Sequence, residues 1–385
     1  MADRHWVRTW FLLLALGTSP AAVGDALPME RLAVPAGFVI EVLIDDTPNA
    51  RQMALGADGT LFVGTRRAGR VYAVENALTE PAKARVIADD LRMPSGVAVH
   101  DGNLYVGAVN RVLRFSAIEA WLAAHADGQP KAEIITDALP TDGHHGWKYL
   151  KFSPSGTLHV PVGAPCNICL SKDPRYASLL TLDLASGSTE LYAEGIRNTV
   201  GFDWHPETGD LWFTDNGRDM LGDDVPPEEV NVAPRAGLHF GYPFEHAGTI
   251  ADPEFGKQRV RTLGERALEK PKVKIQAHSA ALGIDFYDGA AFPEDYRHAL
   301  FIAEHGSWNR SSKVGYRISV VLDPNGAATY RPFIEGWLDD EENWGRPNDV
   351  LVTPAGNLLI SDDQAGAIYR VRYVGDRRAV AALGD

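Results

Sequence analysis

The chain has 385 residues, of which 45% are hydrophobic and 23% are charged. This balance is typical of a globular protein with a large core and excludes an intrinsically disordered chain. Lys and Arg together number 37 against 51 Asp and Glu, so the formal net charge is -14. Because the chain has no excess of basic residues to hold a phosphate backbone, its composition also argues against nucleic acid as a partner.

The N-terminal residues 1–24 have the pattern of a cleavable signal peptide. Arg4 and Arg8 precede the apolar residues 10–16, and small residues follow at positions 22–24. A membrane anchor is the weaker interpretation, because a spanning helix needs roughly 20 apolar residues and no later segment is long enough either. The sequence therefore predicts a periplasmic or secreted protein without a membrane span. We expect one domain over residues 25–375 and a C-terminal tail over residues 376–385.

One sequence pattern occurs six times: residues that alternate between apolar and polar, then a turn, then a second apolar run. Asp-Gly and Pro-x-Gly turns between such runs are typical of β-hairpins, so each unit predicts two antiparallel strands. The gap between the fourth and fifth units is the longest, which predicts an insertion at roughly residues 219–275. The six units cover residues 53–63, 97–106, 150–160, 202–213, 284–302 and 350–360.

These hairpins predict an all-β fold, a six-bladed β-propeller with four-stranded blades and an inserted loop region. The units recur at about 60 residues on average, which is the length of one blade. A β-sandwich or an open array of hairpins is the alternative. The only convincing helical pattern covers residues 117–124. Residues 37–43 form a further strand that would complete the last blade and close the ring, which removes exposed sheet edges.

The two cysteines, Cys166 and Cys169, are separated by two residues. In an exported chain this spacing favours a local disulfide or two structural thiols over a redox centre, because no strand-to-helix context of a thioredoxin-type site surrounds it. Leu170 follows, so the haem-attachment pattern fails. Two sulfur atoms alone do not complete a structural zinc site, which argues against zinc.

The propeller prediction indicates where a functional site would lie. In an antiparallel hairpin, the residues before the first strand and after the second lie at the same end. Six radial hairpins gather these segments at one mouth of the central channel, opposite the turns. Their polar, partly cationic residues predict a binding site there, whereas ordinary solvated or inter-blade hydrogen-bonding roles are the alternative for each residue. The residues concerned are Asn49, Arg51, Arg66, Arg70, Pro94, Asn110, His144, His145, Arg197, Asn198, 215–218, His278, Ser279, 304–306, Arg346, Asn348, Asp349, Asp362 and Asp363.

This set of residues offers three kinds of chemistry. Arginine side chains can bind an anion, and histidine can transfer a proton near neutral pH. Aspartate side chains and free carbonyl groups can bind a hard cation such as calcium. Residues 215–219 and 222–224 carry such oxygens, although this loop lacks the EF-hand pattern and by itself is only weak evidence for a metal.

Five motifs give the chain its resemblance to a known family. It resembles the soluble, pyrroloquinoline quinone (PQQ)-dependent aldose and sorbosone dehydrogenases, which are six-bladed propellers that oxidise sugars. The resemblance covers roughly residues 30–373, and the motifs are specific together rather than singly. They lie at residues 144–150, 162–169, 195–201, 211–219 and 304–310.

The resemblance implies roles for individual residues. It places the catalytic general base at His145, with His144 as the alternative. Arg197 and Asn198 would contact the cofactor and stabilise developing negative charge. A calcium ion would be held by the backbone carbonyl groups of Gly217 and Arg218. Further cofactor contacts are implied for Arg66, Arg70, His305 and Arg346.

The function implied by the resemblance is oxidation of a sugar or sugar aldehyde, with hydride transfer to calcium-bound PQQ and proton transfer to histidine. PQQ carries three carboxylates, and the planar guanidinium group of arginine binds a carboxylate through two parallel hydrogen bonds. No haem motif occurs, so electrons would leave to a separate acceptor, a quinone or a cytochrome. Residues 146–149 depart from the pattern of the best-known sugar oxidisers, which leaves the substrate open. A calcium-dependent propeller hydrolase such as a lactonase, or a non-catalytic binding propeller, are the alternatives.

Overall fold

The repeated units form antiparallel hairpins whose turns contain the predicted glycines. In the computed structural model, which describes residues 26–79 and 81–375, Gly59, Gly102, Gly156, Gly209 and Gly356 have φ values from 70° to 88°. Glycine adopts such values without steric cost, which explains its place in these turns. The predicted signal peptide, residues 1–24, and the predicted tail, residues 376–385, lie outside the described residues.

The first three blades follow one another along the chain. A short 3₁₀ helix (Met29–Arg31) and strand β1 (Phe38–Ile44) precede them. Blade 1 contains β2 (Ala50–Leu55), β3 (Leu61–Thr65), β4 (Val71–Glu75) and β5 (Lys83–Ala88). Blade 2 contains β6 (Gly96–His100), β7 (Asn103–Ala108), β8 (Arg111–Phe115) and, after helix α1 (Ile118–Ala124), β9 (Glu133–Thr136). Blade 3 contains β10 (Lys151–Phe152), β11 (Leu158–Val162), β12 (Ser178–Leu182) and β13 (Thr189–Glu194).

Blade 4 is interrupted by an excursion of the chain. It contains β14 (Phe202–Trp204), β15 (Leu211–Asp215), β16 (Glu228–Ala233) and β20 (Val273–Ile275). The excursion contains β17 (Leu238–His239), β18 (Glu245–His246), β19 (Ile250–Ala251), a 3₁₀ turn (Gly256–Gln258) and helix α2 (Arg259–Leu263). Strand β17 pairs in parallel with β13, so blade 3 has a fifth strand.

The predicted insertion is therefore present, but it is narrower than residues 219–275. Strand β16 lies within that range and is the third strand of blade 4, while β20 at its end is the fourth. The alternation in β16 is hidden in the sequence because Glu228 and Glu229, two charged residues, begin the strand and are nevertheless buried.

The last two blades complete the ring. Blade 5 contains β21 (Ala281–Phe286), a 3₁₀ turn (Glu294–Tyr296), β22 (Leu300–Glu304), β23 (Arg317–Leu322) and β24 (Thr329–Ile334). A small hairpin of β25 (Leu338–Asp339) and β26 (Glu342–Asn343) precedes β27 (Pro347–Val352), β28 (Leu358–Asp362) and β29 (Ala367–Tyr373). Strand β1 pairs antiparallel with β29 as the fourth strand of blade 6, so the predicted closure is confirmed.

Apolar side chains fill the space between successive blades. Phe62 and Val71 of blade 1, for example, pack in one buried cluster with Val97 and Val106 of blade 2. Burial of such side chains is the main favourable term in the fold. Together the sheets confirm the prediction of a six-bladed β-propeller. Within the described residues, no helix has the length and apolar character needed to cross a membrane.

The inner strands are also linked around the channel by aspartate side chains. Asp203 accepts the backbone N–H of Phe286 in the next blade at 2.9 Å. Asp349 of blade 6 accepts the backbone N–H of Met53 in blade 1 at 2.8 Å. Such hydrogen bonds to charged acceptors are stronger than neutral ones, so they hold the inner strands in a defined register.

Candidate active site

A cavity of about 500 Å³ opens at the channel mouth opposite the glycine turns. Most of its lining residues lie just before the first strands, or just after the second strands, of blades 1, 3, 4, 5 and 6, which is the convergence predicted from the hairpin pattern. Eight of the ten residues to which the resemblance assigns a role line this cavity. They are Arg66, His144, His145, Arg197, Asn198, Gly217, His305 and Arg346.

Two other predicted residues take different positions. Arg70 is exposed and is not among the residues that line the cavity. The guanidinium group of Arg218 points to the excursion in blade 4, where it pairs with Asp252 and with Glu254 at 3.0 Å. The Arg218 side chain therefore faces away from the cavity, and only its backbone carbonyl group, the atom named in the prediction, concerns a metal there.

Further cavity residues were only partly indicated by the sequence. Arg51 and His278 belong to the segments predicted to converge at this mouth, but they had no assigned role. Asp219 was named only as one of the oxygen-bearing residues of a weak cation candidate, and Trp147, Glu228 and Trp308 were not singled out as site residues. No local sequence pattern indicates the place of Glu228, because its burial depends on backbone N–H donors from other segments of the chain.

Arg197 and Arg346 occupy equivalent positions in blades 4 and 6. The backbone N–H of Arg197 donates to Asp215 at 2.9 Å, and that of Arg346 donates to Asp362 at 2.8 Å. Both aspartates end the second strand of the same blade and are buried. The repeated hairpin thus supplies an acceptor that fixes where each arginine leaves the backbone. Asp215 and Asp362 therefore serve the main chain, which is the ordinary role the sequence left open for them.

A charged network supports the cavity on the side of blades 1, 5 and 6. Arg51 pairs with Asp363 at 2.7 Å, and both side chains are at most 10% exposed. Asp363 also accepts from Nε2 of His305 at 2.8 Å. Burial raises the pKa of Asp363, but His305 and Arg51 lower it further, so the carboxylate stays ionised. Burial lowers the pKa of His305 to about 4.

Arg66 brings a second kind of contact to the cavity. Its guanidinium group lies 4.0 Å from the ring centroid of Trp147, a cation–π geometry. Burial lowers the pKa of Arg66 to about 10, and the nearby Arg51 and Arg67 act in the same direction. The group remains protonated at neutral pH. The cavity therefore concentrates positive charge within a protein of net charge -14.

His145 has the geometry of a neutral base. Its Nδ1 lies 2.9 Å from the carbonyl oxygen of Ala164, so Nδ1 carries the proton and Nε2 keeps the lone pair. Burial, followed by the charge of Arg197, lowers the pKa of His145 well below its usual range. His145 packs closely against Gly163, where an added Cβ atom would lie 2.5 Å from Cβ of His145 and 3.0 Å from its carbonyl oxygen. His144 is more exposed, and burial followed by Arg197 also lowers its pKa.

Glu228 is the buried carboxyl group of the cavity. Its oxygens accept the backbone N–H groups of Gly217 at 2.8 Å and Ala280 at 3.3 Å. Burial raises its pKa to about 8. Within residues 26–79 and 81–375, no group of three or more His, Cys, Asp or Glu side chains is arranged to hold a metal ion. A calcium ion at this place would therefore depend on main-chain carbonyl groups and on a bound ligand for most of its oxygens.

The cavity fits a multiply anionic organic ligand better than a cation alone. Arg51, Arg66, Arg67, Arg197 and Arg346 line it, against two lining carboxyl groups. Its volume lies within the range of small-molecule and cofactor sites, about 300–1,000 Å³. These features match the donor set that a tricarboxylic quinone such as PQQ requires.

Comparisons with known proteins agree with this fold. An uncharacterized protein from Borreliella burgdorferi is 35% identical over 362 residues, which cover 89% of this chain and 91% of that protein. The holo form of the pyranose dehydrogenase PQQ domain from Coprinopsis cinerea superposes with a TM-score of 0.72 at 17% identity, covering 89% of this chain and 97% of that one. The PQQ-bound aldose sugar dehydrogenase from Streptomyces coelicolor gives a TM-score of 0.62 at 17% identity, covering 88% and 99%.

The calcium structure of the carbohydrate-active enzyme of family AA12 from Trichoderma reesei has a TM-score of 0.70 at 19% identity, and the match covers 89% of this chain and 97% of that one. These structural likenesses establish a common fold and bear out the resemblance seen in the sequence. The model of the TrAA12-like family matches residues 32–374, nearly the whole described chain. The chain belongs to the TrAA12-like family.

Proposed function

We propose that this protein is an oxidoreductase that uses PQQ to oxidise a sugar or sugar aldehyde. The observation that carries the proposal is the cavity in which Arg66, Arg197 and Arg346 surround a neutral histidine base, His145. Arginines bind carboxylates with charge-assisted hydrogen bonds, so this set suits an anionic cofactor. The PQQ-containing structures with the same fold support the choice of cofactor.

Each cavity residue has a part in this proposal. Arg66, Arg197, Asn198, His305 and Arg346 would hold the cofactor. PQQ, when bound, accepts the electrons released by the oxidised substrate carbon. Nε2 of His145 takes the proton of the substrate hydroxyl group, and the carbonyl oxygen of Ala164 keeps the ring in the required tautomer. His144, which is more exposed, is the alternative base. Arg70 is left out of this set because it does not line the cavity.

Calcium would bind beside the cofactor, at the backbone carbonyl groups of Gly217 and Arg218. Gly217 lines the cavity, and Glu228 holds its backbone N–H. Calcium accepts such carbonyl and carboxylate oxygens in flexible geometry and would act as a Lewis acid. We further infer that the chain is exported and passes its electrons to a separate quinone or cytochrome. The disulfide between Cys166 and Cys169 supports export, since such bonds persist in oxidising compartments.

The proposal is tested by reconstitution. Purified protein is incubated with PQQ with and without Ca²⁺, and its absorption spectrum is recorded before and after aldoses, pyranoses and sugar aldehydes are added. We expect the bound-cofactor spectrum to change on reduction and a dye to be reduced in turnover. Binding of PQQ without oxidation of any such sugar would contradict the proposed substrate class.

Two outcomes would support other functions. Opening of lactones that requires Ca²⁺ and no quinone would indicate a propeller hydrolase. Failure of the folded protein to bind PQQ at all would overturn the oxidoreductase proposal and favour a binding propeller.

A further inference from the structure

The protein holds the guanidinium group of Arg197 through four hydrogen bonds. Its Nε donates to the carbonyl oxygen of Asn167 at 2.9 Å and one terminal nitrogen donates to the carbonyl oxygen of Asn216 at 3.1 Å. The other terminal nitrogen donates to Oδ1 of Asn167 and to Asp219, both at 2.9 Å. The side chain is only 4% exposed.

These contacts leave the guanidinium group one direction in which to bind a ligand. A guanidinium has five N–H donors in a rigid plane. Four of them point to Asn167, Asn216 and Asp219 within the described chain, so one N–H remains for the cavity. The charge of Arg197 is also balanced by Asp219. Arg197 therefore offers the cavity one N–H donor in a fixed orientation. Arg66 differs, because its guanidinium group stacks on the ring of Trp147.

Asn167 is the residue that sets this orientation. Its carbonyl and side-chain oxygens both accept from Arg197. The same Oδ1 accepts the backbone N–H of Asp219 at 2.8 Å, and its amide nitrogen donates to the carbonyl oxygen of Asp219 at 3.1 Å. One asparagine thus joins the arginine to the carboxylate-bearing loop that balances it.

A disulfide encloses this asparagine. Cys166 and Cys169 are bonded, with their Cα atoms 6.2 Å apart, and Asn167 lies between them in irregular backbone. The backbone N–H of Cys169 donates to the hydroxyl group of Tyr242 at 3.0 Å, and that tyrosine is buried in the excursion of blade 4. Ordering an irregular segment costs conformational entropy, which a short covalent loop reduces in advance.

We propose that Asn167, held by the Cys166–Cys169 disulfide, is the positioning residue of Arg197 and that the disulfide loop preorganises this part of the anion site. The inference deepens the proposed function, on which it rests for the identity of the ligand. Preorganised donors bind more tightly because fewer groups must be ordered on binding.

The first measurement follows Arg197 without any cofactor. Phenylglyoxal modifies accessible arginines, and peptide mass spectrometry gives the rate at each site. We expect Arg197 to be protected in the natural chain and modified about tenfold faster in Asn167→Ala, the lower end of the range that loss of one hydrogen bond to a charged group gives. Asn167→Asp keeps the Oδ1 acceptor, so protection should persist. The double variant Cys166→Ser, Cys169→Ser should lose protection although it keeps Asn167.

The second measurement is the dissociation constant of PQQ, taken by titration of its absorbance. We expect it to rise about tenfold in Asn167→Ala and in the double cysteine variant. The control is Asn103→Ala. Asn103 also contacts backbone groups, at Asp101 and Ala117, but at the opposite end of the channel. The Asn103→Ala variant should leave both the modification rate of Arg197 and the affinity for PQQ unchanged.

The outcomes separate the two proposals. If folded Asn167→Ala, checked by its melting temperature, protects Arg197 as well as the natural chain does, the positioning role is wrong. If the natural chain does not bind PQQ, the proposed function fails while the protection of Arg197 still decides the role of Asn167. If the double cysteine variant does not fold, Asn167→Ala decides the positioning role, because it keeps the disulfide.

Discussion

The two ends of the central channel differ in how their charges are balanced. The cavity at the end with the glycine turns is the larger, about 850 Å³ against about 500 Å³. There, Lys151 contacts Asp203 and Asp285, each at 2.7 Å. Both aspartates also accept a backbone N–H from the next blade. Lys151, Asp203 and Asp285 thus join blades 3, 4, 5 and 6.

The opposite end has more cations than its carboxylates balance. Arg51 is paired with Asp363 and Arg197 with Asp219, but Arg66 stacks on Trp147 and Arg346 donates to the carbonyl groups of His305 and Gly306. Positive charge without a carboxylate partner is costly unless a ligand supplies the anion. At the other end the carboxylates outnumber the lysine. The comparison shows that excess positive charge, and not cavity size, marks the candidate site of this propeller.

The largest expected effect lies at the cationic end. His145→Ala should lower kcat of the PQQ-loaded protein by about 10²–10⁴-fold, because a positioned general base contributes that much. PQQ binding should stay measurable, since the arginines remain. The matched control is His100→Ala, since His100 lies at the other end, stacked on Phe152 with ring centroids 4.2 Å apart. Equal loss of activity in both variants would contradict the assignment of the two ends.

A substitution at the end with the glycine turns should change the stability of the protein and not its binding of PQQ. Lys151→Met removes one cation and leaves Asp203 and Asp285 as two adjacent carboxylates. Breaking a buried ion pair costs about 3–5 kcal/mol, and the 30% exposure of Lys151 places this variant at the lower end, about 3 kcal/mol. The free energy of unfolding from denaturant titration checks the loss. A PQQ affinity that falls with it would show that this end also serves the ligand.

The positions of the site residues could be predicted from the sequence, but the pairing of their charges could not. His145, Arg197 and Arg346 could be predicted because each stands just before an inner strand, and turn glycines mark those strands. The balance of charge could not be predicted, since Arg51 and Asp363 are 312 positions apart and pair only when the ring closes. Arg70 was expected in the site because it follows a second strand, yet its side chain is exposed outside the cavity.

Strand β16 is a second feature that could not be predicted from the sequence. Glu228 and Glu229 break the apolar alternation, so the segment reads as insertion, although both side chains are buried. Burial is possible because backbone N–H groups reach them, from Gly217 to Glu228 and from Ala247 to Glu229. Those donors come from other segments of the chain, so no local pattern indicates them.

The unbalanced arginines provide a sharper comparison. Arg346→Gln should raise the dissociation constant of PQQ by about tenfold to a hundredfold, the range for loss of a hydrogen bond to a charged group. Arg66→Gln should weaken binding similarly. Arg70→Gln is the matched variant, because the resemblance implies a cofactor contact that the geometry does not provide. Titration of PQQ absorbance decides between them, and a loss in Arg70→Gln as large as in Arg346→Gln would contradict the placement of the cavity.

The smallest expected effect is on the pH dependence of turnover. Since burial and Arg197 lower the pKa of His145 below its usual range, the ring stays neutral, and competent as a base, to a lower pH than an exposed histidine would. The acid limb of kcat in the PQQ-loaded enzyme should therefore lie below about pH 6.5, the ordinary histidine value. Weakening the positive field with Arg197→Gln should move that limb to higher pH, because the protonated ring is then less disfavoured. An acid limb that stays in place would show that burial alone sets the basicity of His145, and the cationic end would then act on the cofactor and not on the base.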